Sequence, residues 1–153
     1  MTEAPTIRVQ AEDFDLQAEI DALSSGRQNI GAVVSFIGLC RDEEGTLDAL
    51  ELEHYPGMAV AEMRRIAEEA AARWPLDGIT VIHRFGKIRP GDNIVLVLTA
   101  SRHRQAAFES ASFLMDFMKS KAPFWKRELR KDGSEGAWVD ARTSDDEALK
   151  RWQ

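Results

Sequence analysis

Apolar positions along this chain switch between two periods. Residues 31–41 (GAVVSFIGLCR) are rich in β-branched and aromatic side chains, which predicts a strand. Residues 47–54 set Leu47, Ala49 or Leu50, and Leu52 at near-alternate positions, a second strand. Pro56-Gly57 then breaks the chain. From 58 to 74 the period lengthens: Met63, Ile66, Ala67, Ala70 and Trp74 recur every three or four residues, predicting a helix that Pro75 stops. Strands follow at 79–84 and 94–101, joined by a loop over 86–92. The longest helix is expected over 104–121, closed by Ala122-Pro123, with strands at 124–129 and 137–141 around a turn at 132–136. A short strand at 7–10 and a short helix at 15–23 precede all of these, and a polar, weakly helical tail from about 143 follows, with Ser144 as its cap. Mixed strands with two long helices predict an α+β or α/β fold.

A length of 153 residues suits a single domain over 1–153, and 44% hydrophobic with 30% charged residues is the balance of a globular chain. The lone cysteine excludes a disulfide framework or a cysteine-based zinc ribbon. No apolar run approaches the ~20 residues of a membrane helix, and 1–5 is not an apolar leader, so a reducing cytoplasmic setting is expected. The three histidines lack metal-site spacing, so no metal is expected, and no dinucleotide, P-loop or nucleophile-elbow motif occurs.

The net charge of −6 argues against nucleic-acid binding, but the charge is unevenly spread. Between Arg102 and Lys131 eight Lys/Arg face three acids, a local excess of five positive charges. Such a zone inside an acidic protein points to a localised anion site. Ser101-Arg102-His103-Arg104 stands at a strand-to-helix junction, where cations oppose the helix dipole unless an anion sits nearby. Phe124-Trp125-Lys126-Arg127-Glu128 sets aromatics beside cations just after a helix stop, either an amphipathic strand or a pocket wall. At 100° per residue, Lys119 falls between a polar stripe (Gln105, Glu109, Ser112, Asp116) and an apolar one (Phe108, Ala111, Met115, Met118). It reads either as a snorkelling lysine paired with Asp116 or as a base or nucleophile among like charges. Arg104 and Lys119 lie ~22 Å apart along a straight helix, so they meet either over an elongated ligand or across a subunit interface. Cys40 beside Arg41 is either a small core residue or an activated thiolate. His54 and His83 are expected to be structural.

Several strings together are specific. Gly31-Ala32-Val33 through Phe36-x-Gly38-x-x-Arg41, Leu52-Glu53-His54-Tyr55-Pro56-Gly57-Met58 and His83-Arg84-x-Gly86 come first. Ser101-x-His103-Arg104 follows, then Met115-Asp116-x-x-Lys119-x-x-Ala122-Pro123-Phe124-Trp125-Lys126-Arg127-Glu128 and Trp138-Val139-x-Ala141-Arg142. This ordered set resembles the family of large, catalytic subunits of molybdopterin synthase over roughly residues 31–142. The resemblance implies an α+β, hammerhead-like fold with a mixed sheet, two long helices and a smaller antiparallel β subdomain. It implies a homodimer that binds two small ubiquitin-like sulfur-carrier subunits, making a heterotetramer. Each carrier would present a C-terminal Gly-Gly thiocarboxylate, and two sulfurs would pass to cyclic pyranopterin monophosphate to form the dithiolene of molybdopterin. No cofactor is implied.

Carried over by residue, Lys119 and Lys126 would be the catalytic pair. Arg41, His103 and Arg104 would contact substrate or its phosphate. Leu39, Cys40, Arg127 and Glu128 would line the site, and Arg142 would come from the second protomer. Two other readings compete: a persulfide transferase acting through Cys40, and a non-catalytic module whose basic zone docks an anionic partner or ligand.

Overall fold

The computed structural model describes residues 4–121, 123–139 and 148–152. Its elements run β1 (Thr6–Gln10), α1 (Leu16–Ser24), β2 (Ala32–Leu39), β3 (Leu47–His54), α2 (Met58–Arg73), β4 (Leu76–Arg84), β5 (Gly86–Ile88), β6 (Asn93–Ser101), α3 (Arg104–Ser120) and β7 (Phe124–Arg130). They form the expected α+β arrangement: a four-stranded sheet ordered β1-β4-β6-β2 and a three-stranded one ordered β5-β3-β7. Among the described residues only the β1–β4 pair is parallel.

The two faces of the larger sheet bury different side chains because strand residues alternate. Val81 of β4 and Val95 and Val97 of β6 join Met63, Ile66 and Ala70 of α2 and Phe113 and Leu114 of α3. Ile82, Leu96, Leu98 and Ala100 turn the other way, onto Leu23 of α1 and Phe14 just before it. With both faces covered, β4 and β6 read as continuous apolar runs. The α1 helix is capped by Asp15, whose carboxylate accepts the Ala18 N–H at 3.0 Å. Two buried hydroxyls are satisfied on α3, Thr99 donating to the Ala107 carbonyl at 2.7 Å and Ser110 to that of Ala106 at 2.6 Å.

Three expectations change. The 86–92 loop contains β5, which pairs with β3 through Leu50, Glu51 and Leu52. The strand expected at 137–141 is not a regular strand in its described part: residues 134–139 run beside β7 with isolated bridges at Lys126–Val139 and Leu129–Glu135. The tail expected to be polar carries an apolar anchor in its described part. Leu149 is buried, and the Trp152 ring packs edge-on against Phe113 at 5.5 Å and Trp74 at 5.7 Å. The Ser144 cap lies outside the described residues. Among the described residues no helix is long and apolar enough to cross a membrane.

Candidate active site

The C-terminal end of α3 and the start of β7 bring the first candidates together. Lys119 is in the last turn of α3 and exposed. Lys126 lies on β7 opposite Leu52 of β3. Strand alternation sends Phe124, Lys126 and Glu128 to one face of β7, and Trp125, Arg127 and Leu129 to the other. His83 of β4 stacks on Phe124, with centroids 3.7 Å apart and planes at 15°. Lys119 is near enough for its charge to act on His83. Lys119 and the Lys126 face of β7 therefore share a wall built from His83 and Phe124. His54, in register with Phe124, extends this wall, its ring 4.6 Å from that of Phe85.

Burial holds the His83 pKa down at about 4, and the nearby Lys119 and His54 push the same way, against a bond to the Arg84 carbonyl. That bond, 2.7 Å from Nδ1, fixes the tautomer: a carbonyl only accepts, so Nδ1 carries the proton and Nε2 is bare. The Nδ1 atom of His54 is buried with no hydrogen-bond partner among the described residues. Both histidines belong to this wall, a placement the sequence reasoning missed. The signal was their presence in the Glu53-His54-Tyr55-Pro56-Gly57-Met58 and His83-Arg84-x-Gly86 strings.

Asp116, one turn back, was the partner of Lys119 in one of its two readings. Instead it accepts from Arg151 at 2.7 and 3.0 Å and from the indole of Trp152. Among the described residues no carboxylate pairs with Lys119. The anchored C-terminal segment thus occupies the acid that would have neutralised it. Phe108, assigned to the apolar stripe, is 61% exposed because the core of α3 is carried by Ala107, Ala111, Phe113, Leu114 and Met118.

Arg102, His103 and Arg104 gather at the other end of α3, all exposed and, among the described residues, without ion pairs. His103 is the N-cap residue but makes no side-chain capping bond, so the first-turn N–H groups remain available to an anion. A cleft of about 290 Å³ opens here, lined by Pro75, Asp77, Ser101, Arg102, His103 and Ala106. Gly31 lies tight against Arg102: a Cβ there would stand 2.1 Å from the Arg102 carbonyl oxygen, so only glycine lets the chain entering β2 approach this junction. Because α3 is one continuous helix, His103 and Arg104 stand ~22 Å from Lys119 within a chain.

The remaining candidates disperse. Leu39 is exposed at the end of β2, and Arg41 pairs with Glu43 on the surface. Cys40 is buried in the core of the smaller sheet with Leu47, Leu52 and Ile88. Burial pushes its thiol pKa up, and the carboxylates of Asp92 and Asp42 add to that, against a backbone hydrogen bond from Leu50. Burial is the main cause, so the surroundings of Cys40 are those of a core thiol and do not favour a thiolate. Arg127 faces away from Lys126 and is held by Glu51 and Glu135. Glu128 shares the Lys126 face, with its carboxylate 3.6 Å from Arg130. Arg142 lies outside the described residues. Among those residues no cluster of His, Cys, Asp or Glu has the makings of a metal site.

Comparison with known proteins shows the family. The family described as MoaE protein matches residues 9–121. The molybdopterin synthase catalytic subunit of Mesorhizobium japonicum is 69% identical over 150 residues, covering 98% of this chain and 94% of that protein. The molybdopterin biosynthesis MoaE protein of Burkholderia ambifaria superposes with a TM-score of 0.84 at 49% identity, covering 97% of each chain. A molybdopterin synthase structure from Staphylococcus aureus aligns at TM-score 0.77 and 26% identity, covering 91% of this chain and 98% of that one. The chain belongs to the MoaE family and is an enzyme of the molybdopterin synthase catalytic-subunit type.

Proposed function

We propose that this enzyme moves sulfur from the C-terminal thiocarboxylate of a small ubiquitin-like carrier subunit onto cyclic pyranopterin monophosphate, forming the dithiolene of molybdopterin. The observation that carries the reading is Lys119: an ammonium at a helix end, without a carboxylate partner among the described residues, beside the strand face that bears Lys126. Sulfur leaves an acyl carbon in this reaction. Once the sulfur has bonded to a pterin carbon, water attacks the acyl carbon, the acyl C–S bond breaks and the carrier leaves as its carboxylate; that attack builds negative charge on the acyl oxygen, which a fixed ammonium stabilises. A lysine that is transiently neutral also accepts a proton from an attacking group. Lys119 and Lys126 fill these roles. The sulfur arrives on the carrier, so no cysteine nucleophile is required, which agrees with the buried, raised-pKa thiol of Cys40.

The substrate's phosphate needs a second cationic group. Arg102, His103 and Arg104 supply one, but at the far end of α3. We place that group of a second copy against the Lys119–Lys126 group of the first, so that a homodimer completes two sites. Each site takes one carrier tail, which gives a heterotetramer. Arg41 is a further substrate or phosphate contact in this reading, Arg142 is contributed by the second copy, and Glu128 lines the same face as Lys126. The test is a reconstituted assay with thiocarboxylated carrier and the pterin precursor. Dithiolene formation that disappears in Lys119→Ala and Lys126→Ala, while carrier binding persists, supports the reading. Product formation at the wild-type rate in both variants overturns it, as does loss of carrier binding with turnover restored at saturating carrier, the behaviour of a docking module.

A further inference from the structure

The side chain of Arg127 carries an inference beyond its neighbours' roles. It leaves β7 on the face opposite Lys126. Its Nε and Nη2 each lie 2.7 Å from Glu51 Oε1 on β3, its Nη1 lies 2.9 Å from Glu135 Oε2, and its guanidinium sits 4.6 Å from the centroid of Trp138. Two carboxylates and an aromatic face thus occupy the guanidinium. Its charge is compensated locally, so an anionic substrate finds little left to bind.

The residues it reaches belong to one segment. One edge of β7 pairs with β3, and residues 134–139 lie along the other. Four backbone bonds hold them there: Arg130 N–H to the Ser134 carbonyl at 2.9 Å, Gly136 N–H to that of Glu128 at 2.8 Å, and a reciprocal pair between Lys126 and Val139 at 2.9 and 2.8 Å. The segment has little core of its own, since Trp138 and Val139 are 44% and 50% exposed. It leaves β7 through Gly133, whose φ of 89° is a turn conformation that glycine adopts without strain. So few backbone bonds around an exposed segment make a weak hold. The Arg127 guanidinium joins β3, β7 and the segment in one partly buried network, which contributes more than an isolated surface pair.

We propose that Arg127 is a positioning residue: it clamps residues 134–139 to the edge of β7 and so fixes the backbone of Lys126 from the side opposite β3. Both the N–H and the carbonyl of Lys126 are bonded to Val139, so release of the segment frees that residue first. A displacement of about 1 Å in a reacting group costs on the order of a hundredfold in rate. The catalytic part of this inference rests on the proposed function; the clamp itself does not.

The test uses the full chain bound to its carrier, with Arg127→Ala, Arg127→Lys and Glu135→Ala. Amide hydrogen exchange is read at Lys126, Gly136 and Val139, and dithiolene formation is followed for kcat and KM. We expect Arg127→Ala to speed exchange at all three amides by about tenfold or more, and to lower kcat while KM for the pterin stays within about twofold. Arg127→Lys restores part of the protection. Glu135→Ala moves both readouts in the same direction by less, and the double variant is less than additive. Unchanged exchange in Arg127→Ala overturns the clamp. So does a raised KM in Arg127→Ala with Glu135→Ala binding pterin as well or better, the pattern of a direct phosphate ligand. If Arg127→Ala fails to fold, Arg127→Lys and Glu135→Ala carry the same comparison. If the wild type forms no dithiolene, the proposed function fails while the exchange data still decide the clamp.

Discussion

The two ends of α3 carry cations in different settings. At the C-terminal end Lys119 faces a wall of rings from His83, Phe124 and His54, and a positive side chain there suits the helix dipole. At the N-terminal end Arg102, His103 and Arg104 stand in the open beside free N–H groups, where their charge opposes the dipole. The first setting suits a group that meets reacting atoms against a wall of rings. The second suits recognition of a solvated anion such as a phosphate. One helix keeps them ~22 Å apart, so a single copy holds two halves of the proposed site and not the whole of it.

The sharpest way to break this contrast is at the reacting end. Lys119→Ala is expected to lower turnover by about 10²–10³-fold, the usual cost of a lost charge-stabilising group, with carrier binding intact in a pull-down. Damage to the helix that separates the ends comes next. Phe113 is fully buried and packs on Trp74, Phe117 and Trp152, so Phe113→Ala should destabilise by about 3–5 kcal/mol in urea unfolding.

A pH effect then separates the ringed end from the open one. An unfolded histidine titrates near 6.5, whereas His83 in the fold titrates at about 4. The unfolded chain therefore takes up the proton first. His83's contribution to stability is complete above pH ~6.5 and declines as pH falls toward 4, by about 2 kcal/mol between pH 7 and 5. The variant His83→Phe should lack that part of the slope in urea titrations at the two pH values. The smallest effect belongs to the open end. Arg104→Ala should raise KM for the pterin phosphate by roughly tenfold with little change in kcat, and the penalty should shrink at high salt.

Much of this layout was legible in the sequence. The strand over 47–54 and the helix starting at Met58 fall as expected, because alternation, the Pro56-Gly57 break and three-to-four spacing agree with one another there. β5 was hidden because Gly86-Lys87-Ile88 is short and rich in turn signals; its strand character comes from pairing with Leu50–Leu52, a tertiary cause. Trp152 read as part of a polar tail because nothing local announces that Phe113 and Asp116 await it. The candidate site was legible as a cationic zone and as motif strings. The division of that zone was not. Composition counts Arg127 with Lys126, whereas strand alternation sends them to opposite faces, and Glu51, remote in sequence, takes up the arginine. Likewise Asp116 looked like the natural partner of Lys119 until Arg151 claimed it.

The central claim is that the two ends of α3 work together only between copies, and mixed dimers test it most directly. Chains carrying Lys119→Ala and Arg104→Ala are each prepared alone and then unfolded, mixed and refolded together, with dithiolene formation measured under carrier saturation and limiting pterin. A hybrid dimer has one site bearing both changes and one bearing neither, so about a quarter of wild-type activity should return from parents that are each far less active. If both groups act within one chain, every site in the mixture stays damaged. Activity no higher than the average of the two parents would then contradict the account.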